Sequence, residues 1–327
     1  MRPFEHVDVT SPNEAIEVLG GPGTSRLIAG GTDLIPAMRQ GLVAPDRLVN
    51  LKTIAGLREI TLEDGHLRIG ALARLAEVAR HTLVRANFPA LAEAIELAAS
   101  PQIRSQATIG GSLCQESRCW YYRGPFPCWL KGGEECFARH GANSRHAIFQ
   151  TRAPQSPCVT VHPSDSATAL VALGAQVRLL ASGKARVVPA EGFFTIPSPE
   201  RRQLTSLQPS EVVVGIDLPW PAPGQQSVFL KAMDRAAFGF ALVSVAAVVV
   251  LDGPTIRSAR LCLGGVAPIP WRVSAAERTL LDQELNASTI TRCARATTEG
   301  TEPLADNRYK IALTEGLVKQ ALEKIRV

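Results

Sequence analysis

Hydrophobic positions along this chain change period several times, and each change marks an element. Residues 4–9 (FEHVDV) alternate apolar and polar, which predicts a strand. Ser11-Pro12 then offers an N-cap with proline at the first helical position, ahead of the run AIEVLG. An apolar stretch at 26–29, a turn at Gly30-Gly31-Thr32-Asp33, a helical pattern at 34–40 and a strand at 47–51 continue the alternation. The first 55 residues therefore predict a small α/β lobe.

Asp64-Gly65 between two alternating apolar runs is a strong short-range hairpin signal. Helical patterns follow at 74–81 and 87–98, and ASPQIRSQATIGGSL (99–113) predicts a strand running into a second glycine turn. Residues 114–158 break the periodicity. They are crowded with glycine, proline, charge and aromatics, which predicts a long ordered loop of the functional kind. Regular patterns resume with a helix at 166–174 and strands at 175–180, 185–188 and 211–218. PWPAPGQQ (219–226) marks a linker. Beyond it, three antiparallel strands and amphipathic helices near 273–281, 287–298 and 307–325 predict a separate α+β domain. The expected organisation is a lobe at 1–55, a second lobe at 56–222 carrying the insert 114–158, and a C-terminal domain at 223–327.

Composition narrows the function. A chain of 327 residues exceeds one typical core, and 46% hydrophobic with 20% charged residues is ordinary for a globular protein. The net charge of +5 comes from scattered Lys and Arg with no basic run, which gives nucleic-acid binding little support. The longest apolar run, 240–251, contains Ser244 and is too short to span a bilayer. The N-terminus lacks a basic stretch followed by an apolar one, so no secretory signal is expected.

Seven cysteines is an odd number, and five of them fall between positions 114 and 158. Cys262 and Cys293 suit plain core filling. Clustered cysteines in a chain with no expected export signal point to metal or redox chemistry rather than disulfides. Cys119, Cys128, Cys136 and Cys158 are separated by eight, seven and twenty-one residues, spacings that match neither ferredoxin nor zinc-finger patterns. Composition alone leaves an iron–sulfur cluster, structural zinc and unligated thiols open. Cys114 is a fifth candidate ligand, and His140 and His146 are others. The two glycine turns, IAGGTDL (28–34) and ATIGGSL (107–113), let backbone N–H groups approach an anion at a helix start. Neither fits the G-x-G-x-x-G or Walker A pattern.

IAGGTDL, ATIGGSL, HPSD (162–165) and LKAMDRAAFGFALVSVA (230–246) resemble the FAD-binding subunits of the xanthine dehydrogenase family of molybdenum hydroxylases, over essentially the whole chain. RCWYY, PCW, GGEEC, SRHAIF and CVTVHPSD further resemble the FAD subunits of periplasmic-type bacterial aldehyde oxidoreductases, which also carry a 4Fe–4S cluster. The resemblance implies an α+β chain: a PCMH-type FAD-binding fold of two α/β subdomains, then a C-terminal domain like that of the CO dehydrogenase flavoprotein. It implies that backbone N–H groups of Ile28, Ala29, Gly30, Gly31, Thr32, Asp33 and Leu34 hold the FAD pyrophosphate, with Thr108, Gly110, Gly111 and Ser112 forming the second half of the cradle. Asp165 would accept a hydrogen bond from a ribityl or ribose hydroxyl, Val214 would pack near the adenine, and Lys231 would sit beside the isoalloxazine. Read without the family, Asp165 is a helix N-cap and Lys231 an exposed strand lysine. The cluster ligands implied are Cys119, Cys128, Cys136 and Cys158. A related insert in 4-hydroxybenzoyl-CoA reductase would place the fourth ligand near His146 instead.

The activity so implied is electron transfer from partner 2Fe–2S centres through FAD to an external acceptor, with the 4Fe–4S cluster either on that path or a structural staple, and with no catalytic acid, base or nucleophile of its own. The partners implied are a 2Fe–2S small subunit and a molybdopterin large subunit in a heterotrimer. The compartment is the cytoplasm, or the periplasm if a partner carries a twin-arginine signal. The FAD subunit of a 4-hydroxybenzoyl-CoA reductase-like or other aromatic-heterocycle dehydrogenase, a zinc-stapled interaction module and a free-standing flavin oxidase are the competing readings. The aromatic residues Trp120, Tyr121, Tyr122, Phe126 and Trp129 would either shield a cluster or form a small core for the loop.

Overall fold

Local signals at the N-terminus act as the sequence predicts. In the computed structural model, which describes residues 1–152, 156–181, 183–235 and 237–326, the Ser11 hydroxyl accepts from the Glu14 N–H at 3.2 Å and the Glu14 carboxylate accepts from the Thr10 N–H at 2.7 Å. This reciprocal cap starts the helix Pro12–Gly20. Three short strands flank it: β1 (Glu5–Asp8), β2 (Ser25–Ile28) and β3 (Arg47–Asn50), paired in parallel with β3 in the middle.

A second, antiparallel sheet has the order β4-β5-β8-β6-β7, from β4 (Ile60–Glu63), β5 (His66–Gly70), β6 (Gln176–Ala181), β7 (Lys184–Pro189) and β8 (Val212–Pro219). Asp64-Gly65 turns β4 into β5, both with positive φ. The remaining strands, β9 (Gln225–Ala232), β10 (Val243–Asp252), β11 (Thr255–Gly264) and the short β12 (Trp271–Arg272), form a third sheet in the order β12-β11-β10-β9.

Both faces of this last sheet are covered. Phe229, Ala246, Val248 and Cys262 point into one large core shared with the helices Pro89–Glu96 and Asp165–Ala172. Val245, Ala247, Leu261 and Leu263 point into another, closed by the helices Ala287–Ala296 and Tyr309–Arg326. This two-sided burial explains why β10 reads as a continuous apolar run rather than an alternating one. Cys262 and Cys293 are fully buried, as core filling requires.

The expectation of a strand before the second glycine turn is corrected. Ser100 accepts from the Ile103 N–H and starts the helix Pro101–Arg104, and Thr108 accepts from the Gly111 N–H and starts the helix Ile109–Leu113. Two hydroxyl caps decide the local structure there, and only an isolated bridge, Arg74 with Thr108, remains of the strand. A further helix, Thr82–Asn87, went unread between the two helices expected in that region.

Candidate functional site

The two glycine turns lie against each other. A Cβ on Gly30 would fall 2.1 Å from the Gln106 carbonyl oxygen, so only glycine lets the first turn rest on the backbone that leads into the second. Gly31 has φ +69°, which a side chain would strain. Gly110 in turn sits on Ala71, whose Cβ would be 2.9 Å from an added methyl, and the Ala71 N–H donates to the Val214 carbonyl at 3.2 Å. The side chain of Ile28 belongs to a small core with Met38 and Leu48, which leaves its backbone for the turn. Val214 is the extra residue where β8 shifts register against β6, half-buried beside the first-lobe core. Ser112 is buried, its hydroxyl within 2.9 Å of those of Ser164 and Ser166. The second turn is thereby tied to the HPSD segment.

Ser164, not Asp165, caps the helix Asp165–Ala172, accepting from the Ala167 N–H at 3.3 Å. Asp165 instead pairs with Lys231 of β9 at 2.7 Å, and Lys231 also donates to the Leu97 carbonyl at 3.0 Å. Their side chains are 7% and 1% exposed, so Lys231 is not an exposed strand lysine. Burial pushes the Asp165 carboxyl up to about 6, with Lys231 pulling the other way. Beside the pair runs a narrow crevice of about 30 Å³ lined by Arg118, His162, Ser164, Thr168 and Phe240. His162 Nε2, Ser244 Oγ and Arg118 Nε are buried there without partners, the state of polar groups that await a ligand. Burial drives His162 down to about 3, so its imidazole is neutral.

The insert is anchored to the first glycine turn by Asp33. Its carboxylate pairs with Arg118 and Arg123, each at 2.8 Å, and accepts from the Glu116 N–H at 2.9 Å. The insert folds as short helical turns, of which Trp120–Arg123, Trp129–Lys131 and Phe137–Arg139 each begin directly after a cysteine. Cys119, Cys128 and Cys158 share a small core with Tyr122, Trp129 and Leu130, while Cys136 is buried beside Ala138 and Val159. The aromatic residues thus give the loop its own interior, with Trp120 and Phe126 reaching its surface. A bridge between Cys128 and Glu135 and the Arg202 guanidinium, which donates to the carbonyls of Trp129 and Gly133, fix the middle of the insert. Arg139 donates to the carbonyls of Thr151, Ser156 and Pro157 and fixes the approach to Cys158.

All seven cysteines are free thiols. The neighbouring Cys158 thiol pulls Cys136 down to about 6 against the effect of burial, and Cys136 together with burial pushes Cys158 far up in return. Burial pushes Cys119 up to about 11 and Cys128 up as well. His146 Nε2 lies 3.1 Å from Cys119 Sγ, and burial drives this imidazole down to about 4. Among the described residues no group of three or more His, Cys, Asp or Glu is arranged to hold a metal ion. Cys114 lies apart, packed against the core of the second lobe.

Residues 2–221 match the family model described as "FAD binding domain in molybdopterin dehydrogenase", and residues 228–325 match "CO dehydrogenase flavoprotein C-terminal domain". The chain is an FAD-binding subunit of the molybdenum hydroxylase family. This flavoprotein subunit is 36% identical to the aldehyde oxidoreductase FAD-binding subunit PaoB of Escherichia coli K12, over 100% of this chain and 99% of the relative. It is 29% identical to the carbon monoxide dehydrogenase medium chain of Hydrogenophaga pseudoflava, over 98% and 96% of the two chains. A solved structure of carbon monoxide dehydrogenase from that organism superimposes with a TM-score of 0.78 at 28% identity, covering 99% of this chain and 98% of that one. The flavoprotein subunit is accordingly an oxidoreductase component, and its mixed fold is that of the medium chains. No described helix is long and apolar enough to cross a membrane.

Several residues of this site went unmarked in the sequence. The side chain of Asp33, the two arginines it gathers, and Arg202 are separated by up to 169 positions, and no local pattern joins them.

Proposed function

We propose that this chain is the FAD- and 4Fe–4S-bearing electron-transfer subunit of an aldehyde oxidoreductase-type molybdenum hydroxylase. The observation that carries the reading is the gathering of Cys119, Cys128, Cys136 and Cys158 from a long insert into two adjoining small interiors, with no disulfide among them. Burial opposes thiolate formation at Cys119 and Cys128, and Cys136 followed by burial opposes it at Cys158, so a site meant to hold four thiolates needs bound cations.

In this reading the FAD lies along the two glycine turns, with its flavin end toward the crevice. Backbone N–H groups of residues 28–34 face the pyrophosphate, Thr108, Gly110, Gly111 and Ser112 shape the second half of the cradle while the N–H groups of the last three are bonded within the protein, and Val214 lies toward the adenine. Asp165 and Lys231 then stand near the ribityl chain and the ring, where the unpartnered His162 and Ser244 await contacts. FAD supplies a two-electron store that couples one-electron centres to a two-electron acceptor. The protein's own share is to hold the centres in place, exclude water with the aromatic cluster, and set the local charge. In this reading a 2Fe–2S small subunit and a molybdopterin large subunit deliver the electrons, and an external acceptor takes them. The name of the aldehyde oxidoreductase relative supports the substrate class.

Iron, acid-labile sulfide and zinc are measured per flavin in anaerobically purified protein. The reading expects about four irons and four sulfides per FAD in this chain. Zinc without iron supports the stapled-module alternative instead.

A further inference from the structure

Arg118 belongs neither to the glycine turns nor to the cysteines, yet it reaches the surroundings of both. Its guanidinium pairs with Asp33 of the first glycine turn at 2.8 Å and lies over the Phe240 ring, 5.2 Å from the centroid. It lines the crevice beside Asp165, and its Nε is buried there without a partner. Its immediate neighbour in the chain is Cys119, whose Sγ meets His146. Arg118 therefore places one positive charge on the crevice from a backbone position next to one of the proposed cluster ligands.

Anchoring alone does not account for it. Arg123 already binds Asp33 at 2.8 Å and donates to the carbonyls of Glu116 and Ser117, and it does so without lining the crevice. The charged groups gathered here are Arg118, Arg123, Asp33 and Glu116, the last accepting from the Tyr122 hydroxyl. Two positive and two negative charges nearly cancel, so each single charge governs the sign of the local field. Arg118 is the one of these four that faces the crevice, where the buried Asp165–Lys231 pair adds one charge of each sign.

We propose that Arg118 is a positioning residue shared by the two redox centres, whose charge raises the reduction potentials of the flavin and of the cluster together. The inference rests on the two-centre reading of the function. Each centre gains negative charge when it accepts an electron, and a nearby cation favours that reduced form. A single charge acting on both centres shifts them in the same direction and so raises both while changing the potential step between them little.

The test is a redox titration of the assembled, cofactor-loaded protein, with dithionite as reductant and dye mediators. Flavin reduction is followed by visible absorbance and the cluster by EPR. Arg118→Gln is expected to make both centres about tenfold harder to reduce at a given potential, a fall of about 59 mV for each one-electron step. Asp33→Asn leaves Arg118 charged and removes its counter-ion, and is expected to shift both centres upward. Opposite signs from the two variants are something a merely structural role does not produce, and either variant decides the matter if the other does not load its cofactors. Parental potentials in a loaded variant, or a shift at only one centre, overturn the inference. Absence of iron from the parent protein is a separate result, which ends the cluster reading instead.

Discussion

Lys231→Met removes a cation that is 1% exposed and leaves the Asp165 carboxyl, 7% exposed, without its 2.7 Å partner. Breaking a buried pair by deleting one member costs about 3–5 kcal/mol, because the remaining charge is stranded. Asp165→Asn strands the lysine in the same way, with the Leu97 carbonyl as its remaining strong acceptor. The double variant strands neither, so the three changes are expected to be non-additive by about 2 kcal/mol or more.

The pH dependence adds a second arm. The Asp165 carboxyl stands at about 6 in the folded chain, against an ordinary value of 3.8. For an acid raised in this way, the folded state binds more protons than the unfolded one between those values. Its stabilising contribution is complete below pH 3.8 and is lost as pH rises through about 6, an effect of about 3 kcal/mol for roughly two units. Denaturant unfolding followed by tryptophan fluorescence between pH 4 and about 7 measures both arms. Additive single-variant losses, or a parental pH slope in Asp165→Asn, refute the argument. A pair that weakens the fold at neutral pH is placed there for something other than stability, consistent with its position beside the crevice.

Other consequences are as direct. Gly30→Ala sets a methyl 2.1 Å from a backbone oxygen that no rotamer change can relieve, and is expected to cost about 2–3 kcal/mol and to lower FAD retention on gel filtration, whereas Gly192→Ala meets nothing within 4 Å and leaves both unchanged. His162 stands at about 3 when folded, so the unfolded chain binds the extra proton below an ordinary value of 6.5. Stability therefore falls as pH drops through that value, and His162→Gln flattens this part of the acid denaturation curve. Cys262→Ser is expected to leave the iron content unchanged while lowering the unfolding midpoint, since that sulfur fills the core.

Much of the fold is legible because local chemistry and burial agree. The Ser11-Pro12 cap, the Asp64-Gly65 hairpin and the long apolar strands all form where the pattern places them. The pattern misleads at 99–113, where apolar content suggests a strand but the hydroxyls of Ser100 and Thr108 cap two short helices. For the site, the glycine turns announce themselves because only glycine permits such close backbone approach. The contact between them, through Gly30 and Gln106, is not local and leaves no trace in either motif. The same holds for Asp33: it looks like one more turn residue, yet its carboxylate gathers partners more than 80 positions away. Lys231 reads as a solvated strand lysine because its burial is decided by Asp165 and Leu97 on other elements.

Low-temperature EPR of the dithionite-reduced protein tests the central claim most directly, with serine placed in turn at positions 119, 128, 136, 158 and 114. The account predicts a 4Fe–4S signal in the parent that survives Cys114→Ser and is lost or altered by each of the other four. A parent protein without that signal, or one in which Cys128→Ser and Cys158→Ser leave it untouched, contradicts the account.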